Sequence, residues 1–360
     1  MIQPASIWPY FLLSSVFLAF SGCIYAFAKK FSRVVMVSEE GRYKSIDGLR
    51  GFLALGVFFH HALINFSFQT GGVWKAPDEP FYVMTGQLGV GFFFMITAFL
   101  FWGRILKTGC GVDWVALYQS RVRRIVPMYV VAVVALVLIA LSKAAGSGEI
   151  DEWSVVKEVL KWFYFAFLGA PDINGLPHTF TINAGVFWTL AYEWRFYFAL
   201  PFMVALLAIS GRWGVYLLLG LYATLSDEKF LFYFLGGMIA ADVHERIRSG
   251  IRIPSWLSDV LFVGAISVLM TSFDTAYRAT AAVLSTVAFL LMLKGGGVFG
   301  LLHTKAAGGG ELQHLSAAWH CHHLVSEHCK QGWFPLGRVE LLVGRLVDGL
   351  DLGGSLRPDV

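Results

Sequence analysis

Residues Asp47–Ala62 read DGLRGFLALGVFFHHA. Between the charged opening and the two closing histidines, every residue is apolar or glycine, as in a membrane helix. A guanidinium at one end of such a run and imidazoles at the other are costly in lipid unless the groups pair, snorkel or act on something.

The whole chain has the same character. Of its 360 residues 57% are hydrophobic and only 14% charged, with mean hydropathy +0.64. A soluble domain carries about 25% charge. The expected fold is therefore all-α, a polytopic integral membrane helix bundle with about nine transmembrane helices. Apolar runs fall at 8–27, 48–66, 82–102, 125–142, 184–209, 213–226, 230–242, 257–273 and 278–294. Those at 213–226 and 230–242 are short for a hydrocarbon core of about 30 Å, which predicts tilting, a break or partial merging. The patch WFYFAFLGA (Trp162–Ala170) is shorter still and predicts an interfacial segment. The first run has no basic region before it and no small-residue cleavage pattern after it, so it reads as an uncleaved span. Cys23, Cys110, Cys321 and Cys329 form no disulfide framework.

Alternating the spans sorts the basic residues. Lys29, Lys30, Arg33, Arg42, Lys44, Arg104, Lys107, Arg121, Arg123, Arg124, Arg212, Arg246, Arg248 and Arg252 collect on one side, and far fewer on the other. The excess marks the cytoplasmic side. Under that rule the N-terminus and the long loop at 143–183 lie outside.

Arg50 and His61 are eleven residues apart, close to three full turns, so they share a helix face with a rise of about 16 Å. His60 points about 100° away from His61. Asp47 sits one turn before Arg50, where a carboxylate favours the helix start and can pair with the arginine. Arg50 also suits ordinary snorkelling to headgroups, and His61 an interhelical hydrogen bond. Imidazole is nevertheless the usual side chain for moving a proton to or from a hydroxyl. A second intramembrane cluster, FWTLAYEWRFYF (Phe187–Phe198), carries Glu193 and Arg195. Glu193 is expected near mid-depth, either in a structural ion pair or orienting the imidazole or the acceptor. In YQSRVRRIVPMY (Tyr118–Tyr129), Arg121, Arg123 and Arg124 crowd the cytoplasmic entrance of the next span. They satisfy the positive-inside pattern, and they also suit a phosphorylated donor. Neither a glycine-rich phosphate loop nor a G-x-S-x-G elbow is present, and nothing suggests nucleic acid.

IDGLRGFLALGVFFHHA, LGVGFFFMITAFLFW, RVRRIVPMY and FWTLAYEWRFYF, in this order, resemble the membrane-bound acyltransferase 3 family, which includes bacterial O-antigen and Nod-factor O-acetyltransferases. The resemblance runs over about residues 44–294. The family's arginine and histidine, ten residues between them, fall on Arg50 and His61; His60 is one short. Thr97 and Ala98 replace the usual serine and glycine of FFFMITAFL. The resemblance implies transfer of an acyl group, usually acetyl, from acyl-CoA to a hydroxyl of a cell-surface or lipid-linked glycan at the bacterial inner membrane. His61, at the family's histidine position, is expected to be the general base with Glu193 orienting the imidazole or the acceptor, and Arg50, Arg121, Arg123 and Arg124 are expected to hold the donor phosphates. No metal is expected. The alternative from another class is a transporter or flippase of a lipid-linked sugar or small anion, which also uses intramembrane Arg, His and Glu; no internal repeat of the kind common in transporters is evident. A membrane scaffold is the third reading.

The chain divides into an extra helix and linker at 1–43, the acyltransferase-like core at 44–302 and an atypical polar tail at 303–360. The tail carries His303, His314, His320, His322, His323 and His328 with two cysteines, in no standard zinc spacing. A shifted frame or truncation is expected there in place of one more span.

Overall fold

In lipid, a backbone that leaves water must satisfy its own N–H and C=O groups, and a helix does so within one segment. Each apolar run from residue 48 onward accordingly lies in a helix. The computed structural model describes residues 44–109, 111–144, 152–165, 167–226, 228–250 and 254–295. The expected first span at 8–27 and the tail at 303–360 lie outside the described residues. The helices are α1 (Lys44–Gly71), α2 (Pro80–Thr108), α3 (Trp114–Ala144), α4 (Glu152–Trp162), α5 (Trp188–Leu225), α6 (Leu231–Gly250), α7 (Ser255–Ser272) and α8 (Ala279–Gly295). Five of them (α1, α2, α3, α5 and α7) are long and apolar enough to cross a membrane. The all-helical membrane fold follows.

The two short runs at 213–226 and 230–242 are resolved differently. α5 has 38 residues and would measure about 57 Å if straight. Yet the Tyr192 hydroxyl near its start donates to the Glu228 carboxylate just beyond its end. α5 is therefore a hairpin of two limbs, and the reversal falls at Gly211, whose φ of 69° and ψ of 179° are a glycine conformation. The run at 213–226 is its return limb. The run at 230–242 begins α6, whose apolar part spans Leu231–His244.

α2 is the centre of the bundle. Its most apolar stretch is 72% buried, against 11–22% for the other four long helices, whose outer faces are free to meet lipid. Phe94 stacks on Phe234 at 4.7 Å, Phe196 stacks on the same ring at 4.6 Å, and the buried Trp102 donates to the Tyr216 hydroxyl at 3.0 Å. Aromatic rings and one buried hydrogen bond thus join α2 to α5 and α6. The approach of α6 is close because position 237 has no side chain. A Cβ built there would stand 2.2 Å from the Met95 carbonyl oxygen. Backbone cannot yield as a flexible side chain would, so Gly237→Ala is expected to cost about 1–3 kcal/mol. It should appear as a lowered thermal midpoint of the solubilised protein; an unchanged midpoint would show that α6 can shift freely.

The patch at 162–170 does not span. Trp162 ends α4, and Tyr129 of α3 donates to its carbonyl and stacks on Phe165 at 4.3 Å. With Ile173, Ile182 and Phe187, this loop covers the inner face of α3.

Candidate functional site

Three helices bring four arginines together. Arg50 from α1, Arg104 from α2, Arg121 and Arg124 from α3, and Glu193 and Tyr197 from α5 line a common cavity of about 390 Å³. Thr97, Ser120 and Phe101 complete its polar and aromatic wall.

Each group is placed by its local sequence. Asp47, buried, accepts from the Arg50 guanidinium at 3.3 Å across one helical turn. Four residues after Glu193, on the same face, Tyr197 donates its hydroxyl to the Glu193 carboxylate at 3.1 Å. The Tyr118 hydroxyl donates to the Tyr197 carbonyl at 3.1 Å, tying α3 to α5 beside the cavity. Arg121 lies over the Phe101 ring, 5.1 Å from its centre. Its Nε is buried with no hydrogen-bond partner among the described residues. The guanidiniums of Arg50, Arg121 and Arg124 all act electrostatically on Glu193.

This arrangement fits an anionic ligand. The lining holds four arginines against one carboxylate. An orphaned buried N–H is costly unless something accepts from it, and a planar guanidinium already fixed on an aromatic face is prepared for a phosphate. The residues therefore suit a phosphorylated group, and Leu100, Leu117 and Ile125 add an apolar stretch of wall.

The histidines lie deeper. The His60 ring packs on Gly86 of α2, where a Cβ would come within 2.3 Å of it, and its Nδ1 is 2.9 Å from the Tyr82 carbonyl. His60 is thus built into the α1–α2 contact. His61, half-buried and set edge-on to the His60 ring at 5.0 Å, has its Nδ1 2.9 Å from the Val57 carbonyl one turn back. A carbonyl only accepts, so Nδ1 carries a proton and Nε2 is the nitrogen at which the ring can act as a base. Along α2 the cavity runs from Arg104 to Phe93, about 16 Å of helix. Phe93 is seven residues short of Gly86, which meets His60, so the histidines stand about 10 Å beyond the cavity's inner end.

Of the residues expected from sequence, the structure gathers Arg50, Arg121, Arg124 and Glu193. Arg123 is exposed and His61 is deeper, and neither lines the cavity. Glu193 bonds Tyr197, and the carbonyl of Val57 holds the His61 ring. Arg195 leaves this side of α5 altogether: it sits over the Tyr192 ring at 5.4 Å and pairs with Glu228 at 3.7 Å. Sequence reading missed Arg104 and Tyr197. Their signals were helical spacing, seven residues from Thr97 and four from Glu193. Among the described residues no three His, Cys, Asp or Glu side chains gather as a metal site, and the histidine-rich tail lies outside them.

A polytopic helix bundle with an arginine-lined cavity, and histidines along the same helix as its first arginine, defines a class: a multi-pass membrane protein with a polar, cationic cavity among its helices. The acyltransferase domain of the acyltransferase 3 family matches residues 43–304, and the chain belongs to that family. No curated protein and no solved structure matches the chain. The protein is a membrane acyltransferase.

Proposed function

We propose that the protein transfers an acyl group, acetyl in the first instance, from cytoplasmic acyl-CoA to a hydroxyl of a cell-surface or lipid-linked glycan at the bacterial inner membrane. The observation that carries this reading is the arginine-lined cavity with the buried Arg121 Nε, which has no hydrogen-bond partner among the described residues. The basic end of the bundle is then the cytoplasmic end. Arg50, Arg121 and Arg124 hold the donor's phosphates, and Arg123 adds to the positive field at the entrance. The slim pantetheine arm passes Phe93 and crosses the remaining 10 Å or so to the histidines. There His61 Nε2 takes the proton of the acceptor hydroxyl as its oxygen attacks the thioester carbonyl. The tetrahedral intermediate collapses with cleavage of the C–S bond, and the imidazolium returns the proton to the departing thiolate. Glu193 supports the reaction from the donor side, keeping three guanidiniums close together and fixed through Tyr197. The Val57 carbonyl takes the part of orienting the imidazole.

The test is acyl transfer by the purified full chain in nanodiscs, with acetyl-CoA and a lipid-linked glycan, following both thiol release and acetylated product. Release of one thiol for each acetyl ester formed is expected. Movement of the lipid-linked sugar across the bilayer with no thiol released would overturn the reading in favour of a transporter.

A further inference from the structure

A second cavity, of about 490 Å³, opens beside the first at the basic end, between α2, α6 and the turn of the α5 hairpin. Leu100 and Arg104 line both cavities, so α2 forms the wall they share. The second is lined by Arg104, Lys107 and Arg212 with Asp242. Asp242 and Arg212 are ion-paired, and the lining holds three cationic side chains to one carboxylate. Arg104 forms no ion pair among the described residues. Phe99 and His244 meet edge to face at 5.8 Å on its inner wall.

Size and chemistry both bear on what enters. The first cavity is at the low end of the roughly 300–1,000 Å³ that holds one drug-sized ligand. Coenzyme A is larger, joining a long arm to a base, a ribose and three phosphates. The second cavity supplies what the nucleotide end needs: cations one helical turn apart for a phosphate, an aromatic wall for a purine, and a carboxylate to accept from an exocyclic amine or a ribose hydroxyl. A lipid headgroup shares the phosphate but has no use for the other two features. We propose that this cavity is the subsite for the 3′-phosphorylated adenosine of the donor, with Arg104 at the shared wall bridging to the pyrophosphate in the first. The proposal rests on the donor reading given above.

Lys107 lines only the second cavity and is exposed, so Lys107→Gln leaves the bundle's packing intact. Binding of coenzyme A and of 3′-dephospho-coenzyme A to the full chain and to this variant tests the assignment. The parent is expected to prefer coenzyme A, and the variant to lose about tenfold in affinity for it with little change for the dephospho form. Lys107→Arg should restore the preference. Equal loss for both ligands, or a parent that does not distinguish them, would overturn the subsite and leave the donor cavity standing. A parent that binds neither overturns both. Anionic lipid in the nanodisc that competes with coenzyme A in the parent, but not in Lys107→Gln, assigns the cavity to a headgroup and likewise overturns the proposal.

Discussion

Alanine in place of His61 is expected to lower acyl transfer by about a hundredfold to ten-thousandfold, the usual range for losing a general base, while coenzyme A still binds. Its Nδ1 is committed to the Val57 carbonyl at 2.9 Å, which leaves Nε2 as the ring's only lone pair. Because Arg50 lies about three turns away on the same helix face and Arg121 and Arg124 lie on α3, donor affinity and turnover are separable. His60→Ala is the control with a different outcome. It removes the ring that packs on Gly86, whereas the Tyr82 carbonyl keeps a donor in the Thr85 hydroxyl at 3.0 Å. That variant should lose thermal stability, with turnover per folded molecule within about tenfold of the parent. Full transfer by His61→Ala would remove this residue from the chemistry. A loss explained wholly by missing donor binding would move it to the donor site.

Donor affinity should fall most at two arginines, for different reasons. Arg121→Gln removes a guanidinium already held on Phe101, whose Nε finds no partner among the described residues. A hydrogen bond to a charged group is worth about 1.5–3 kcal/mol, so binding of coenzyme A should weaken by about tenfold to more than a hundredfold without loss of fold. Arg50→Gln has a second effect, because it removes the guanidinium that the buried Asp47 carboxylate contacts at 3.3 Å. Removing one partner of a buried pair costs about 3–5 kcal/mol. Adding Asp47→Asn should therefore recover the folded protein without recovering donor binding. Equilibrium binding and thermal midpoints on the same samples separate the two effects. If the double variant binds as tightly as the parent, Arg50 serves the helix and not the donor.

Much of this molecule was legible before folding because lipid imposes simple rules. Apolar length dictates helices, and the spans from residue 48 onward each found one. The break between 209 and 213 could be read as well, since glycine and arginine interrupt an apolar run there. That the two limbs form a hairpin through Gly211, with Tyr192 brought back to Glu228, is a tertiary fact. The hydrophobic pattern is the same for a kink as for a reversal. The shared face of Arg50 and His61 follows from helix periodicity alone, as do the motifs that resemble the acyltransferase 3 family.

What no periodicity contains is which helix faces which. Glu193 and His61 were expected near one depth, yet Glu193 lines the cavity and His61 stands about 10 Å beyond its inner end. Only packing decided that Glu193 joins Arg50, Arg121 and Arg124 while the carbonyl of Val57 takes the imidazole. Position 86, glycine in the sequence, could not by itself announce that the His60 ring fills the space its missing side chain leaves. Arg104 looked like one more positive-inside residue until α2 was seen as the wall between two cavities. The physical reason is common to all three. Secondary structure here is fixed by each segment's own contest with lipid, a local quantity. The site is fixed by rotation and approach of neighbouring helices, which depend on small residues and rings far apart in the chain.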